Sequence, residues 1–464
     1  MRLQAMLTKL ALLACPLLPC ARALLHNLPS LISLSPEATP IERLAASEVS
    51  RILLLVSAGN LSSQHIVPPT AAAGKSHFAV GYVASVAAGM SAPALATLDE
   101  DSFVISTAAN LSGTIAPAGS VALSGCADSA RGSLYAVYEL FRALGVKFLG
   151  EDAIVLPAAG RITNLPPLEV RFVPSFEMRS IGSWANMNSA MWSASLGLNG
   201  GTRAQGANRY GYWNASAGSS LVTPVQKVFF SSSATAFRML DNLNGSNWRT
   251  GFPPEIYAAH PDWFSNGAKF KGDPKAGAAA CVAPGPGCNL CWSSPSLVSF
   301  LAKQVKMFLR ADSTINTVTV SNMDVAAKCE TAPELAMVAE EDSDAGPMFR
   351  ATNTLAAAIA SEFPHVMMNF LAYSYCTNPV KTKALGNVAV QIAFNTDGAV
   401  PITDPINRNS SQLIAGWNAV SSRIYMWGYQ ANFCNAIMPN PRWGTLSPNL
   451  RCWPRSMTTV WHPP

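Results

Sequence analysis

Ser294-Pro295 opens a run in which Leu297, Leu301, Val305 and Phe308 recur at helical spacing, and Thr317-Val-Thr-Val-Ser321 follows as a short β-branched segment. Proline in a first turn and a one-sided apolar stripe predict a helix, and the β-branched run predicts a buried strand. The same alternation extends outward. Asp344 to Phe363 reads as a helix with Leu355, Ile359 and Phe363 in register, and Val366 to Tyr373 as a strand. Val388-Ala-Val-Gln-Ile-Ala-Phe394 reads as a strand, Ser410 to Val420 as a helix with Leu413, Ile414 and Trp417, and Ile424-Tyr-Met-Trp427 as a strand. Phe176 to Ile181 is a strand on the N-terminal side. Repeated β-then-α units of this length predict a parallel sheet, and residues 168–464 have the size of a TIM-type (β/α) barrel with long loops. A doubly wound sheet is the rival. It announces itself with a glycine-rich phosphate turn, and Gly197 to Gly201 has the wrong spacing for one. After Trp427 no convincing eighth strand and helix can be read from Pro439 to Leu450 or Arg451-Cys-Trp-Pro454. The expected fold is therefore α/β, a barrel either closed in another way or incomplete at its C-terminus.

Residues 24–167 read as a small α+β domain before that barrel. Leu44, Val49, Ile52 and Leu55 share one side of a helix over Ile41 to Val56. Phe78 to Val83 and Phe103 to Ser106 look like strands. A helix follows, capped by Asp128 or Ser129, carrying Leu134, Val137, Tyr138, Phe141 and Leu144, and stopped at Gly145. Val146 to Leu149 is another strand, and Pro157 with Pro166-Pro167 marks the boundary.

Of 464 residues, 49% are hydrophobic and 13% charged, a balance that excludes a disordered chain and a coiled coil. The net charge of +5 includes no Lys/Arg run, so the clustered basic face of a nucleic-acid binder is missing. Arg2 and Lys9 precede an apolar run from Leu10 to Cys20, and Ala21-Arg22-Ala23 supplies a small-x-small cleavage site. Residues 1–23 thus have the layout of a secretory signal peptide, with an uncleaved anchor as the alternative. No later stretch is long and apolar enough for a transmembrane helix. Sequons stand at Asn60, Asn110, Asn214, Asn244 and Asn409. Beyond the signal remain Cys126, Cys281, Cys288, Cys291, Cys329, Cys376, Cys434 and Cys452, an even set that reads as disulfides in an oxidising compartment. Cys288-Asn-Leu-Cys291 has metal-knuckle spacing, but no second such pair and no nearby His accompany it. No metal and no cofactor are expected.

Barrel enzymes place their sites at the C-terminal ends of the strands. That rule selects Asn322 and Asp324, Tyr373 and Tyr375, Asn395 and Asp397, and Trp427 and Tyr429. Aromatic faces stack on pyranose rings, amides bond hydroxyls, and a carboxylate handles the glycosidic oxygen, so the set suits a sugar. Asp324 is the expected catalytic carboxylate, with a helix cap as its alternative. Asp397 has the sequence of an ordinary turn. His260, in His-Pro-Asp-Trp-Phe264, is a further expected substrate contact. No His-Glu-x-x-His, Gly-x-Ser-x-Gly or P-loop occurs, which weighs against zincins, α/β-hydrolases and P-loop nucleotide enzymes.

The stretch Arg131-Gly-Ser-Leu-Tyr-Ala-Val-Tyr-Glu-Leu-Phe-Arg-Ala-Leu-Gly-Val146 resembles the end of the α-glucuronidase and β-hexosaminidase N-terminal domain, which precedes a catalytic barrel in those enzymes. His260 to Phe264, Cys291-Trp-Ser-Ser-Pro295, Val320-Ser-Asn-Met-Asp324 with Cys329, Leu371-Ala-Tyr373, and Tyr425-Met-Trp427 with Tyr429 resemble, in order, the family called domain of unknown function 4838. The resemblance implies a secreted glycoside hydrolase-like protein with carbohydrate as its partner, or a carbohydrate-binding protein without catalysis. Relatives tend to read Trp-Asp-Tyr where this chain has Trp427-Gly428-Tyr429, so a carboxylate expected there is absent.

Overall fold

The computed structural model describes residues 28–56, 65–98, 101–107, 117, 119–127, 131–150, 153–157, 166–177, 179–181, 190–202, 225–231, 238–240, 248–250, 259–265, 289–311, 317–322, 328–394, 399–429, 443–452 and 457–462. These fall into two compact units, one running to Pro174 with Ala194–Leu196, the other taking Ser175–Ser193 and everything from Gly197.

The first unit is α+β. Strands β1 (Leu31–Ser33), β2 (His65–Val67), β3 (Phe78–Val80), β4 (Phe103–Thr107) and β5 (Val121–Ser124) form a sheet with β8 (Glu169–Phe172), in the order β2-β1-β3-β5-β4-β8. β6 (Lys147–Phe148) and β7 (Ile154–Val155) make a separate antiparallel pair. The strand expected over Phe78–Val83 stops at Val80. Gly81, at φ 89°, turns the chain into a helix from Tyr82 to Ala87, and Tyr82 N–H donates to Glu42 Oε1 at 2.9 Å. The helices Pro40–Val56 and Arg131–Ala143 form, but Leu55 is exposed and Leu53 is buried beside Val49 and Ile52 in its stead, and the expected caps Asp128 and Ser129 lie outside the described residues. The Tyr138 hydroxyl of the second helix donates to the buried Glu48 Oε2 of the first at 2.8 Å.

The second unit is α/β. Its main sheet contains β9 (Arg179–Ile181), β10 (Gly200–Thr202), β11 (Val225–Ser231), β14 (Thr317–Ser321), β15 (Met367–Ala372), β16 (Val388–Phe394), β17 (Ile424–Tyr429) and β18 (Met457–His462); β12 (Arg238–Leu240) and β13 (Trp248–Thr250) pair apart from it. The order is β10-β11-β14-β15-β16-β17-β18-β9, and every neighbouring pair is parallel. Return helices run over Pro295–Ala311, Ala332–Glu341, Gly346–Ala360, Arg408–Val420 and Trp443–Cys452. The last helix and β18 correct the expectation that the chain lacks an eighth unit. β18 lies parallel to β17, and Thr459–Trp461 pair in register with Arg179–Ile181 of β9. The helix contains Pro448, and that breaker concealed it in the sequence.

The two edge strands, β9 and β10, are consecutive in the chain. Among the described residues no ladder joins them, but Asn199 bridges them. Its backbone N–H donates to Arg179 O at 3.0 Å, its Oδ1 accepts from Arg179 N–H at 2.8 Å, and its Nδ2 donates to Glu177 O at 2.7 Å.

Val318, Val320, Met368, Phe370, Val390, Ile392, Ile424 and Met426 face the helices in one core with Leu301, Phe349, Leu355 and Trp417. Glu341 locks two helices to the following loop. Its carboxylate accepts from Lys381 N at 2.8 Å, Thr382 N at 2.9 Å, Thr382 Oγ1 at 2.5 Å and Arg350 Nε at 2.6 Å. Burial pushes this carboxyl up, but the bonds from Thr382, Arg350 and Lys381 outweigh it and hold the group below its ordinary range. Its stabilisation is therefore present above the unfolded carboxylate value and disappears as pH falls through the folded one.

Two outcomes follow from these contacts. Asn199→Ala, which removes two bonds from the β9–β10 seam, should lower the unfolding free energy by about 2 kcal/mol in urea titration. Glu341→Ala should cost about 3 kcal/mol at neutral pH. Its deficit against the parent should shrink below about pH 4, and a deficit unchanged by acid would contradict the assigned ionisation.

Candidate active site

Strand alternation sorts the site residues. With Val318, Phe370, Ile392 and Met426 facing the helices, Thr319, Asn369, Gln391 and Trp427 occupy the opposite face. At the C-terminal end of β14, Asn322 is only 5% exposed. Its Nδ2 donates to Tyr373 O, just past β15, at 3.1 Å. That bond fixes the amide, and Oδ1 is buried with no hydrogen-bond partner among the described residues. Tyr373 and Trp427 are half-buried, both on the face away from the helices.

Tyr375 goes elsewhere. Ser374 has φ +56°, and the 3-10 turn Ser374–Cys376 carries Tyr375 against the helix-side core. Burial pushes its hydroxyl well above the ordinary range, with Cys376 the next contributor. Asp324, Asn395 and Asp397 lie outside the described residues, and of Tyr429 only the placement in β17 is described.

The His260 ring stacks on Trp263 with centroids 3.9 Å apart and planes 6° apart. Trp263 Nε1 donates to Ser296 Oγ at 2.9 Å, Cys291 N–H donates to Trp263 O at 2.8 Å, and Phe264 bridges Leu290. This platform packs against the start of helix Pro295–Ala311. A return helix runs antiparallel to its sheet, so that start lies on the side of the strands' C-terminal ends. The disulfide Cys291–Cys329, with Cα atoms 5.2 Å apart, ties the platform to the segment following Asn322. It also takes up Cys291, so the Cys288–Cys291 metal knuckle does not form. Cys376 is a buried thiol, which corrects the expectation that every mature cysteine is bridged. Cys281, Cys288 and Cys434 lie outside the described residues. Among the described residues no group of three or more His, Cys, Asp or Glu could hold a metal ion.

Glu334 was missed. Thr331-Ala-Pro-Glu334 has capping-box spacing, which predicts a bond within its own helix. Instead Glu334, 5% exposed, accepts from Trp292 N–H at 3.3 Å and Ser293 N–H at 2.8 Å, at the mouth of the neighbouring helix. Burial raises its carboxyl above the ordinary range, against the pull of those bonds. A cavity of about 350 Å³ lies beside it between helices Pro295–Ala311 and Gly346–Ala360, lined by Trp292, Val298, Ala302, Met337 and Ala351. It belongs to the helix layer, not to the strand ends.

The family model described as "Domain of unknown function (DUF4838)" matches residues 148–460. No curated protein matches the chain in sequence. Among solved structures it is similar to a β-N-acetylhexosaminidase from Bacteroides fragilis NCTC 9343 (10% identity, TM-score 0.45, covering 94% of this chain and 82% of that one). It is also similar to CpGH84B (11%, 0.42, 88% and 59%) and to a GH138 enzyme targeting pectin rhamnogalacturonan II (7%, 0.42, 94% and 46%). The chain spans less than two thirds of each of the latter two.

Cys329→Ser opens a loop of 38 residues. It should lower stability by about 4 kcal/mol. The cut should appear first between residues 259 and 294 in limited proteolysis, and an unchanged digestion pattern would contradict the anchoring role.

Proposed function

We propose, for a chain that belongs to the family described as domain of unknown function 4838 (DUF4838), a secreted glycoside hydrolase-like protein whose site lies at the C-terminal ends of eight parallel strands closed as a (β/α) barrel. The strand order supports closure, because it is a cyclic permutation of the chain order and Asn199 links the two edges. The disulfide and the Arg2-to-Ala23 layout support export. Among the described residues no helix is long and apolar enough to cross a membrane.

The observation that carries the sugar reading is Asn322. A buried amide oxygen with its nitrogen already committed needs a donor, and a ligand hydroxyl provides one. Half-buried Tyr373 and Trp427 share the face away from the helices and supply ring surface of the kind on which sugar rings stack. Asp324, two residues beyond Asn322, is the carboxylate for the glycosidic bond; Asn395, Tyr429 and His260 complete the expected contacts. The alternative, a binding protein without catalysis, draws on the missing carboxylate at Gly428. That position shares the helix-side face with Ile424 and Met426, so a carboxylate there would not alter the opposite face.

Release of sugar by the secreted chain from a panel of oligosaccharides, including glucuronosyl and N-acetylhexosaminyl linkages, tests the reading. Asp324→Asn should cut release by about a thousandfold while sparing binding. Asn322→Ala should weaken binding by about tenfold or more. Binding without release by the parent would move the assignment to the non-catalytic alternative, and no binding by a folded parent would remove the carbohydrate site altogether.

A further inference from the structure

Beneath the strand ends lies a side-chain ladder that the proposed chemistry does not use. Asn369 Nδ2, on β15, donates to Thr319 Oγ1 of β14 at 3.1 Å and to Gln391 Oε1 of β16 at 2.8 Å. All three residues are 0% exposed. Asn369 Oδ1 and Gln391 Nε2 are buried with no hydrogen-bond partner among the described residues. Each such atom costs about 1–3 kcal/mol, and a half-satisfied buried network is worse than apolar packing. Interior positions of parallel barrels are ordinarily filled by Val, Ile and Leu. Stability alone therefore disfavours this ladder.

Its placement offers a reason. The three strands it joins are the ones whose ends carry Asn322, Tyr373 and Asn395, and each ladder residue stands three or four positions before the corresponding end residue. The bond from Asn322 to Tyr373 ties the first two of these strands again at the top. We propose that Thr319, Asn369 and Gln391 are positioning residues, which fix the relative height of β14, β15 and β16 and so the spacing of the carbohydrate-binding groups above them. They do not touch the ligand. The inference rests on the carbohydrate reading of those ends.

The test uses the full chain and a sugar from the panel that the parent binds. Asn369→Leu with Gln391→Met keeps volume and removes the amides. Its thermal midpoint should equal or exceed the parent's, while the sugar Kd rises by about tenfold or more, because small displacements of a binding group carry large penalties. Gln391→Met alone should give a smaller rise. Thr319→Val, which removes only one acceptor, serves should the double variant fail to fold; it leaves one buried Asn369 N–H unpaired, so its midpoint should fall modestly, and it too should weaken binding. A lowered midpoint with unchanged Kd would overturn the proposal in favour of a purely structural ladder. An unchanged Kd at any midpoint would also overturn it. A parent that binds no sugar would instead overturn the carbohydrate reading and, with it, the site to be positioned.

Discussion

Phe370 of β15 meets Phe349 edge-on, with centroids 5.1 Å apart, and lies tilted against Trp417 at 5.3 Å. Phe349 and Trp417 themselves approach to 5.6 Å, so one strand residue joins the return helices Gly346–Ala360 and Arg408–Val420. Trp417 can be fully buried because its Nε1 donates to Thr377 O at 2.8 Å. This contact fixes which face of β15 is apolar. Side chains alternate along a strand, so committing Phe370 to the helices commits Asn369 and Leu371 to the other side. The ladder runs parallel, so the same commitment passes through the register to β14, β16 and β17. The chemistry opposite the helices is thus set by a packing decision made on the helix side.

A second constraint acts at the helix mouths. The first N–H groups of a helix lack partners within it. Glu334 supplies acceptors just before Pro295–Ala311, at Trp292 and Ser293, and the disulfide at Cys291 closes the same corner. Trp263 adds an indole bond to Ser296. Three different interactions therefore converge on one helix start, each from a segment distant in sequence. The platform bearing His260 owes its place to that convergence and not to local propensity.

Helical periodicity made Pro295–Ala311, Gly346–Ala360 and Arg408–Val420 legible, and β-branched runs did the same for β14 and β16. β10 is Gly200-Gly-Thr202, whose two glycines disfavour a strand; pairing with β11 makes it one. The C-terminal unit was hidden by Pro448 and by the lack of an apolar alternation in Met457–His462. The strand-end placement of Asn322 and Tyr373 was legible from the strand-end rule alone. Tyr375 was misdirected because the positive φ of Ser374 leaves no composition signal, and Glu334 because its partners lie about forty residues away. The Thr319–Asn369–Gln391 ladder was invisible because register, not sequence, brings its members together.

The contrast between the two faces of this sheet is itself an argument about function. A parallel sheet covered on both sides ordinarily reads as continuous apolar strands. β14 instead reads Thr-Val-Thr-Val-Ser, the alternation of a strand with one wet face, although all five residues are buried. β15 and β16 insert Asn369 and Gln391 on the same polar side, and β17 adds Tyr425 and Trp427. The valines satisfy the helices; nothing in packing requires the hydroxyls and amides opposite them. Polar groups held dry at a stability cost have value where they orient others, and here they stand below an amide oxygen, at Asn322, that has no donor among the described residues.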